Sequence, residues 1–201
     1  MASEANIEKA LRGLLGDEPL LTILASVLEA CRRQQGLTFG EAARIAGDMA
    51  AEVLLLAWDW RLLLPRRSRQ CAEWDDRVMR FEADEYYEMP NIVRFLLDIA
   101  ARNGLWDPAS AVDALYVHMG EPEHEKMPAL VREIVKSAVH FQINGAAIGE
   151  ACVKTGLGKR TGAMIAILKG GGLISPRLLG TAPMEKVRSP VYEVHPAVRW
   201  P

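Results

Sequence analysis

The chain has few of the residues that build special chemistry. Its three cysteines, Cys31, Cys71 and Cys152, are odd in number and far apart, which excludes a disulfide framework. Neither they nor the four histidines, His118, His124, His140 and His195, show the paired short spacings of zinc ligands. No metal and no cofactor is therefore expected, and the thiols are read as reduced and mostly buried. The longest apolar run, Val53 to Trp58, falls far short of the ~18–20 residues a membrane helix requires. The first residues are polar and acidic (Ser3, Glu4, Glu8) where a signal peptide has a basic flank. A cytoplasmic chain with no membrane partner is expected.

Catalytic signatures are also missing. Gly158-Lys159 suggests a phosphate-binding loop, but Arg160 replaces the required Ser or Thr and Val153 stands where the first glycine belongs. Glu121, Glu123 and Glu125 alternate around His124 and Pro122 in the manner of a solvated connector. No nucleophile, base and orienting group can be assembled, so an enzyme is not expected.

What the chain does have is a globular composition and an uneven charge. Of its 201 residues 50% are hydrophobic and 25% charged, with a mean hydropathy of +0.02. That is enough apolar material for one large domain or two small ones. The net charge of −2 hides two opposed parts. Residues 1–126 carry 14 Lys and Arg against 22 Asp and Glu, whereas residues 127–201 carry 10 against 4. An acidic first part and a basic last part suggest an anionic partner for the second.

Helical periodicity dominates. A short amphipathic helix, Ile7 to Leu15, is followed by a longer one with Leu21, Leu24, Ala25 and Leu28 on one face. Thr38 caps Phe39 to Ala46, and Asp48 opens an apolar helix through Trp60. Arg61 to Leu64 and Arg77 to Phe81 then read as a hairpin with a long basic loop, Arg66-Arg67-Ser68-Arg69. Two helices follow, Pro90 to Arg102 and one opened by Asp107-Pro108. The last part repeats the opening order. Pro128 starts a helix with Leu130, Val131, Ile134 and Val135 buried. Asn144 caps Gly145 to Val153, and a turn leads to Lys159–Lys169 with Thr161, Met164, Ile165 and Leu168 inward. Strands at Leu173-Ile174-Ser175 and Val191 to His195 close the part.

The run Ile148-Gly149-Glu150-Ala151-Cys152-Val153-Lys154-Thr155-Gly156-Leu157-Gly158-Lys159-Arg160-Thr161, with Ile165, Leu168 and Gly172-Leu173-Ile174, resembles the winged helix-turn-helix superfamily. Residues 20–81 show the same order more weakly. The resemblance implies an α+β fold, mostly α, in which two winged helix-turn-helix modules are joined by a helical pair. The expected divisions are residues 1–88, a degenerate module; 89–120, the helical pair; 121–126, a linker; and 127–201, the basic module.

In that family the recognition helix enters the major groove and the wing reaches the backbone. Carried over position by position, the resemblance makes Lys154, Lys159, Arg160, Lys169, Arg177, Lys186 and Arg188 candidate contacts to duplex DNA. The remaining recognition face, Gly162, Ala163, Ala166 and Ile167, lacks residues that read base edges. Two functions stand side by side: a DNA-binding transcriptional regulator, and an interaction module that builds a protein assembly without nucleic acid. The apolar helix Met49–Trp60, with Glu52 and Asp59, suits a subunit contact better than phosphate, so a homodimer through the first part or the central helices is expected. Trp58, Trp60 and Trp74 fit either a core or an interface. The residues do not identify any small-molecule effector.

Overall fold

A computed structural model describes residues 2–66, 74, 77–177 and 189–200. The fold is α+β and mostly α. Helices α1 (Ala2–Leu15) and α2 (Leu21–Gln34) pack together, and α2 buries the expected stripe of Leu21, Leu24, Ala25 and Leu28. Strand β1 (Leu37–Thr38) leads into α3 (Phe39–Ala46). There the Thr38 hydroxyl accepts from the Glu41 N–H at 3.2 Å while the Glu41 carboxylate accepts from the Thr38 N–H at 2.7 Å, a reciprocal cap. A 3₁₀ turn and α4 (Ala50–Asp59) precede β2 (Leu64–Pro65) and β3 (Tyr86–Glu88). All three strands pair antiparallel in the order β1-β3-β2.

The helical pair, α5 (Asn91–Asn103) and α6 (Pro108–His118), falls where its caps predict. Gly104 ends α5 at φ +70°, and Asp107 accepts from the Ser110 N–H at 3.1 Å to open α6. Then the first order recurs: α7 (Met127–Ser137), β4 (Gln142–Asn144), α8 (Gly145–Lys154), α9 (Thr161–Gly170), β5 (Ile174–Arg177) and β6 (Val191–Val194). The second sheet has the order β4-β6-β5, matching the first strand for strand. Asn144 caps α8 as Thr38 caps α3, here accepting from the Ala147 N–H at 2.8 Å.

Two sequence expectations need correction. The returning strand of the first sheet is Tyr86–Glu88, and Arg77 to Phe81 is irregular. The alternation at 77–81 is misleading because Val78 and Phe81 are exposed, whereas Tyr87 is fully buried in the central strand. The segment 121–126 is no slack connector. His124–Lys126 form a 3₁₀ turn running directly into α7, and Glu121 is only 7% exposed.

A single apolar cluster extends from Ile7 to Val198 through both repeats and the helices between them. The joint is also polar. Arg61 follows α4 in a left-handed conformation, φ +57°, and is almost fully buried. Its Nε donates to Glu193 Oε1 on β6 at 2.9 Å, and its Nη1 donates to the Trp58 carbonyl at 3.0 Å. His195 Nε2 donates to the Arg61 carbonyl at 3.1 Å, while its Nδ1 accepts from the Ala197 N–H at 3.2 Å. These partners place the imidazole proton on Nε2. Burial pushes the His195 pKa down to about 3, so the ring is neutral at physiological pH. Trp74 stands edge-on to it at 5.2 Å.

A second contact joins the last repeat to the central helices, backbone on backbone. The Ile92 N–H at the start of α5 donates to the Gly171 carbonyl at 3.0 Å, and Asn91 Nδ2 donates to the Gly170 carbonyl at 3.1 Å. A Cβ at Gly171 would lie 3.0 Å from Tyr116 Oη and 3.1 Å from a Leu115 methyl, so glycine permits this close approach. The triple glycine does more than stop a helix.

Replacing Arg61 by Met strips the guanidinium from the buried Glu193 carboxylate. Arg61→Met is expected to lower the unfolding free energy by about 3–5 kcal/mol in urea denaturation. Adding Glu193→Leu should recover most of that loss, because an apolar pair carries no desolvation cost. A single variant as stable as the parent would remove this ion pair from its central position.

Candidate nucleic-acid interface

The surface at issue is α8, the turn after it, and α9. On α8, Ile148, Ala151 and Cys152 face the core. The turn is held by Thr155, whose hydroxyl donates to the Ala151 carbonyl at 2.9 Å, and by Gly156 at φ +78°. Leu157 is buried beneath it, with its N–H donating to the Cys152 carbonyl at 2.7 Å. The expected recognition helix begins two residues later than its sequence suggests. Gly158–Arg160 form a 3₁₀ turn, and α9 starts at Thr161. Met164 and Leu168 are fully buried, and Thr161 and Ile165 half-buried, which bears out the inward stripe. Gly162, Ala163, Ala166 and Lys169 are exposed along the outer face, and Ile167 is half-buried.

The structure separates the seven candidate cations. Lys154 and Lys159 are exposed at the near end of α9; Lys154 also lies 3.8 Å from the Glu133 carboxylate. Lys169 is about 15 Å away at the far end of the ten-residue helix, at 1.5 Å per residue. Arg177 is half-buried at the end of β5. Lys186 and Arg188 lie outside the described residues, as do Arg67, Ser68 and Arg69 of the first basic loop and Cys71.

Arg160 requires a different reading. Its Nη1 donates to Glu121 Oε1 and to Glu123 Oε2, each at 2.7 Å, and its Nη2 to Glu121 Oε2 at 3.0 Å. The guanidinium is already committed to two carboxylates. The Arg160 hydrogen bonds hold the Glu121 carboxyl below the usual range. Hydrogen bonds from Lys126 and then Arg160 do the same for Glu123. The glutamates that read as connector chemistry are therefore the clasp that fixes the start of α9 to the turn before α7. No short spacing advertises a pair 39 residues apart.

The corresponding helix of the first repeat looks outward with different chemistry. Leu55 on α4, Met49 in the 3₁₀ turn before it and Ile45 on α3 remain about two-fifths exposed, and Glu52 and Asp59 on α4 are exposed beside them. Of the three tryptophans in the first repeat, Trp74 is buried and Trp58 and Trp60 are half-buried. Trp58 lies 4.8 Å under the Arg61 guanidinium, and Trp60 lies 5.7 Å under that of Arg199. Cys31 and Cys152 are buried free thiols, and burial pushes the Cys31 pKa up to about 12. Among the described residues no three His, Cys, Asp or Glu side chains converge on a metal-sized site, and no helix is long and apolar enough to cross a membrane.

A protein-family model matches residues 5–200, and the chain belongs to that family. The match covers both repeats together with the helices between them. No curated protein and no solved structure matches the chain.

Arg160 and Lys159 are neighbours with opposite expectations. Arg160→Ala leaves Glu121 buried opposite Glu123 and should lower the thermal midpoint, whereas Lys159→Ala should change stability by no more than about 0.5 kcal/mol. Both carboxyls are held below their unfolded pKa values, so their contribution is present at neutral pH and is lost as pH falls through the folded values. The midpoint gap between parent and Arg160→Ala should therefore close in acid. A gap that stays constant with pH would mean the clasp contributes nothing.

Proposed function

We propose that the protein binds duplex DNA as a cytoplasmic transcriptional regulator, with its last repeat acting as a winged helix-turn-helix module. The observation that carries this reading is the outer face of α9. It bears only Gly162, Ala163 and Ala166 between its ends, and Lys154 and Lys159 flank its start. Small side chains let a helix approach a groove closely, and the lysines supply the phosphate attraction that dominates affinity. The strand order β4-β6-β5 around α8 and α9 supports it, as does the excess of basic residues after residue 126. Readout would rest on shape, backbone and thymine methyls, since no amide or guanidinium on that face reaches for base edges.

A random-sequence duplex titrated at two salt concentrations tests the proposal. The parent should bind with a negative slope of log affinity on log salt. The Lys154→Ala/Lys159→Ala double variant should bind more weakly and lose about one unit of slope per phosphate contact removed. Absent binding at low salt, or an unchanged slope in a folded double variant, rejects the DNA reading.

A protein-assembly role has its own support in Ile45, Met49 and Leu55, an exposed apolar strip on the first repeat. Within the DNA-binding reading that strip is the proposed homodimer contact, pairing two modules over two half-sites. Light scattering should then give about twice the 22.2 kDa chain mass, and Leu55→Glu should return it to the monomer value. A monomeric parent at micromolar concentration removes the dimer.

A further inference from the structure

The far end of α9 lies against a charged cleft that the proposed DNA surface does not use. The cleft, about 330 Å³, opens between Lys169 and Gly170 on α9, Asn91 and Arg94 on α5, and Arg77 with Glu88 at β3. Among the described residues three cations line it against one carboxylate. The Arg77 side chain is 10% exposed, and its Nη1 donates to Glu88 Oε1 at 2.9 Å. Its Nε is nonetheless buried with no hydrogen-bond partner. The Arg94 Nε is buried and unpartnered too, and no carboxylate among the described residues pairs with its guanidinium.

A donor shut away from water with no acceptor is unfavourable, and two on guanidiniums that line one cleft favour an anion there. The first turn of α5, a helix of 13 residues, adds the positive end of its dipole. Planar guanidinium forks suit the tetrahedral oxygens of a phosphate, and Lys169 adds a mobile third donor. We propose that this cleft binds a small phosphate-bearing metabolite. Its volume lies at the low end for small-molecule sites, which fits a phosphomonoester and leaves no room for a dinucleotide. A phosphate held by Lys169 on α9 and by Arg94 and Arg77 on the opposite wall would brace the end of α9 against the first repeat. The site stands on its own donors and does not depend on DNA being bound.

The test uses the full chain with inorganic phosphate as the probe, and chloride at equal ionic strength as the control for screening. Calorimetry and thermal melting should show saturable binding at millimolar phosphate and a raised thermal midpoint. Arg94→Gln and Lys169→Gln should each weaken phosphate binding about tenfold, the loss expected for one charged hydrogen bond. Lys136→Gln, an exposed change on α7, should leave it intact. Arg94 has no ion pair to lose, so its variant should fold, and Lys169 is exposed and keeps the test valid if it does not. No saturable phosphate binding overturns the proposal, as does binding that survives both variants. If free phosphate fails to bind while Arg94→Gln weakens duplex binding, the cleft belongs to a nucleic-acid surface and the metabolite site is wrong.

Discussion

Two charges taken out of water between the repeats constrain everything around them. Moving each ion into the interior costs several kcal/mol, and only close, well-oriented partners offset that. Arg61 and Glu193 meet this demand at 2.9 Å, and the backbone turn that presents Arg61 also accepts the His195 hydrogen bond. The pair therefore fixes more than itself. It sets where α4 must end, why the residue after it adopts a left-handed conformation, and where β6 must pass. Apolar packing alone would tolerate small slips between the repeats, whereas a buried ion pair does not.

The repeats share an element order and have diverged in what they show to solvent. On α4 and the 3₁₀ turn before it the outward positions are Leu55 and Met49 among carboxylates, a surface that repels phosphate. In α9 they are small or basic. The Ile92–Gly171 hydrogen bond and the narrow gap at Tyr116 tie the end of α9 to the central helices α5 and α6, the first of them through backbone, where side-chain rotamers cannot loosen it.

Much of this was legible in the residues because it is local. Capping residues at Thr38, Asp107 and Asn144, glycine at 104 and the apolar stripes of α2, α7 and α9 announce themselves within a turn or two of helix. The errors came where a local pattern had two physical solutions. Arg77 to Phe81 alternates as a strand would, yet Tyr86–Glu88 wins because Tyr87 fills the core. At the candidate site, Lys159 and Arg160 look alike in sequence, and only tertiary proximity to Glu121 and Glu123 distinguishes a free cation from a clasped one. The cleft at Arg77, Arg94 and Lys169 was invisible for the same reason, since its donors come from three separate segments.

The order in which the ion pair's halves are synthesised has a consequence of its own. In the sequence, 132 residues separate Arg61 from Glu193. At ~5–20 residues per second on the ribosome, Arg61 emerges on the order of ten seconds before its carboxylate. During that interval the Arg61 guanidinium has Trp58 to stack on but not its carboxylate, and Trp60 lacks the Arg199 guanidinium that covers it. The buried ion pair therefore cannot form until β6 has left the ribosome.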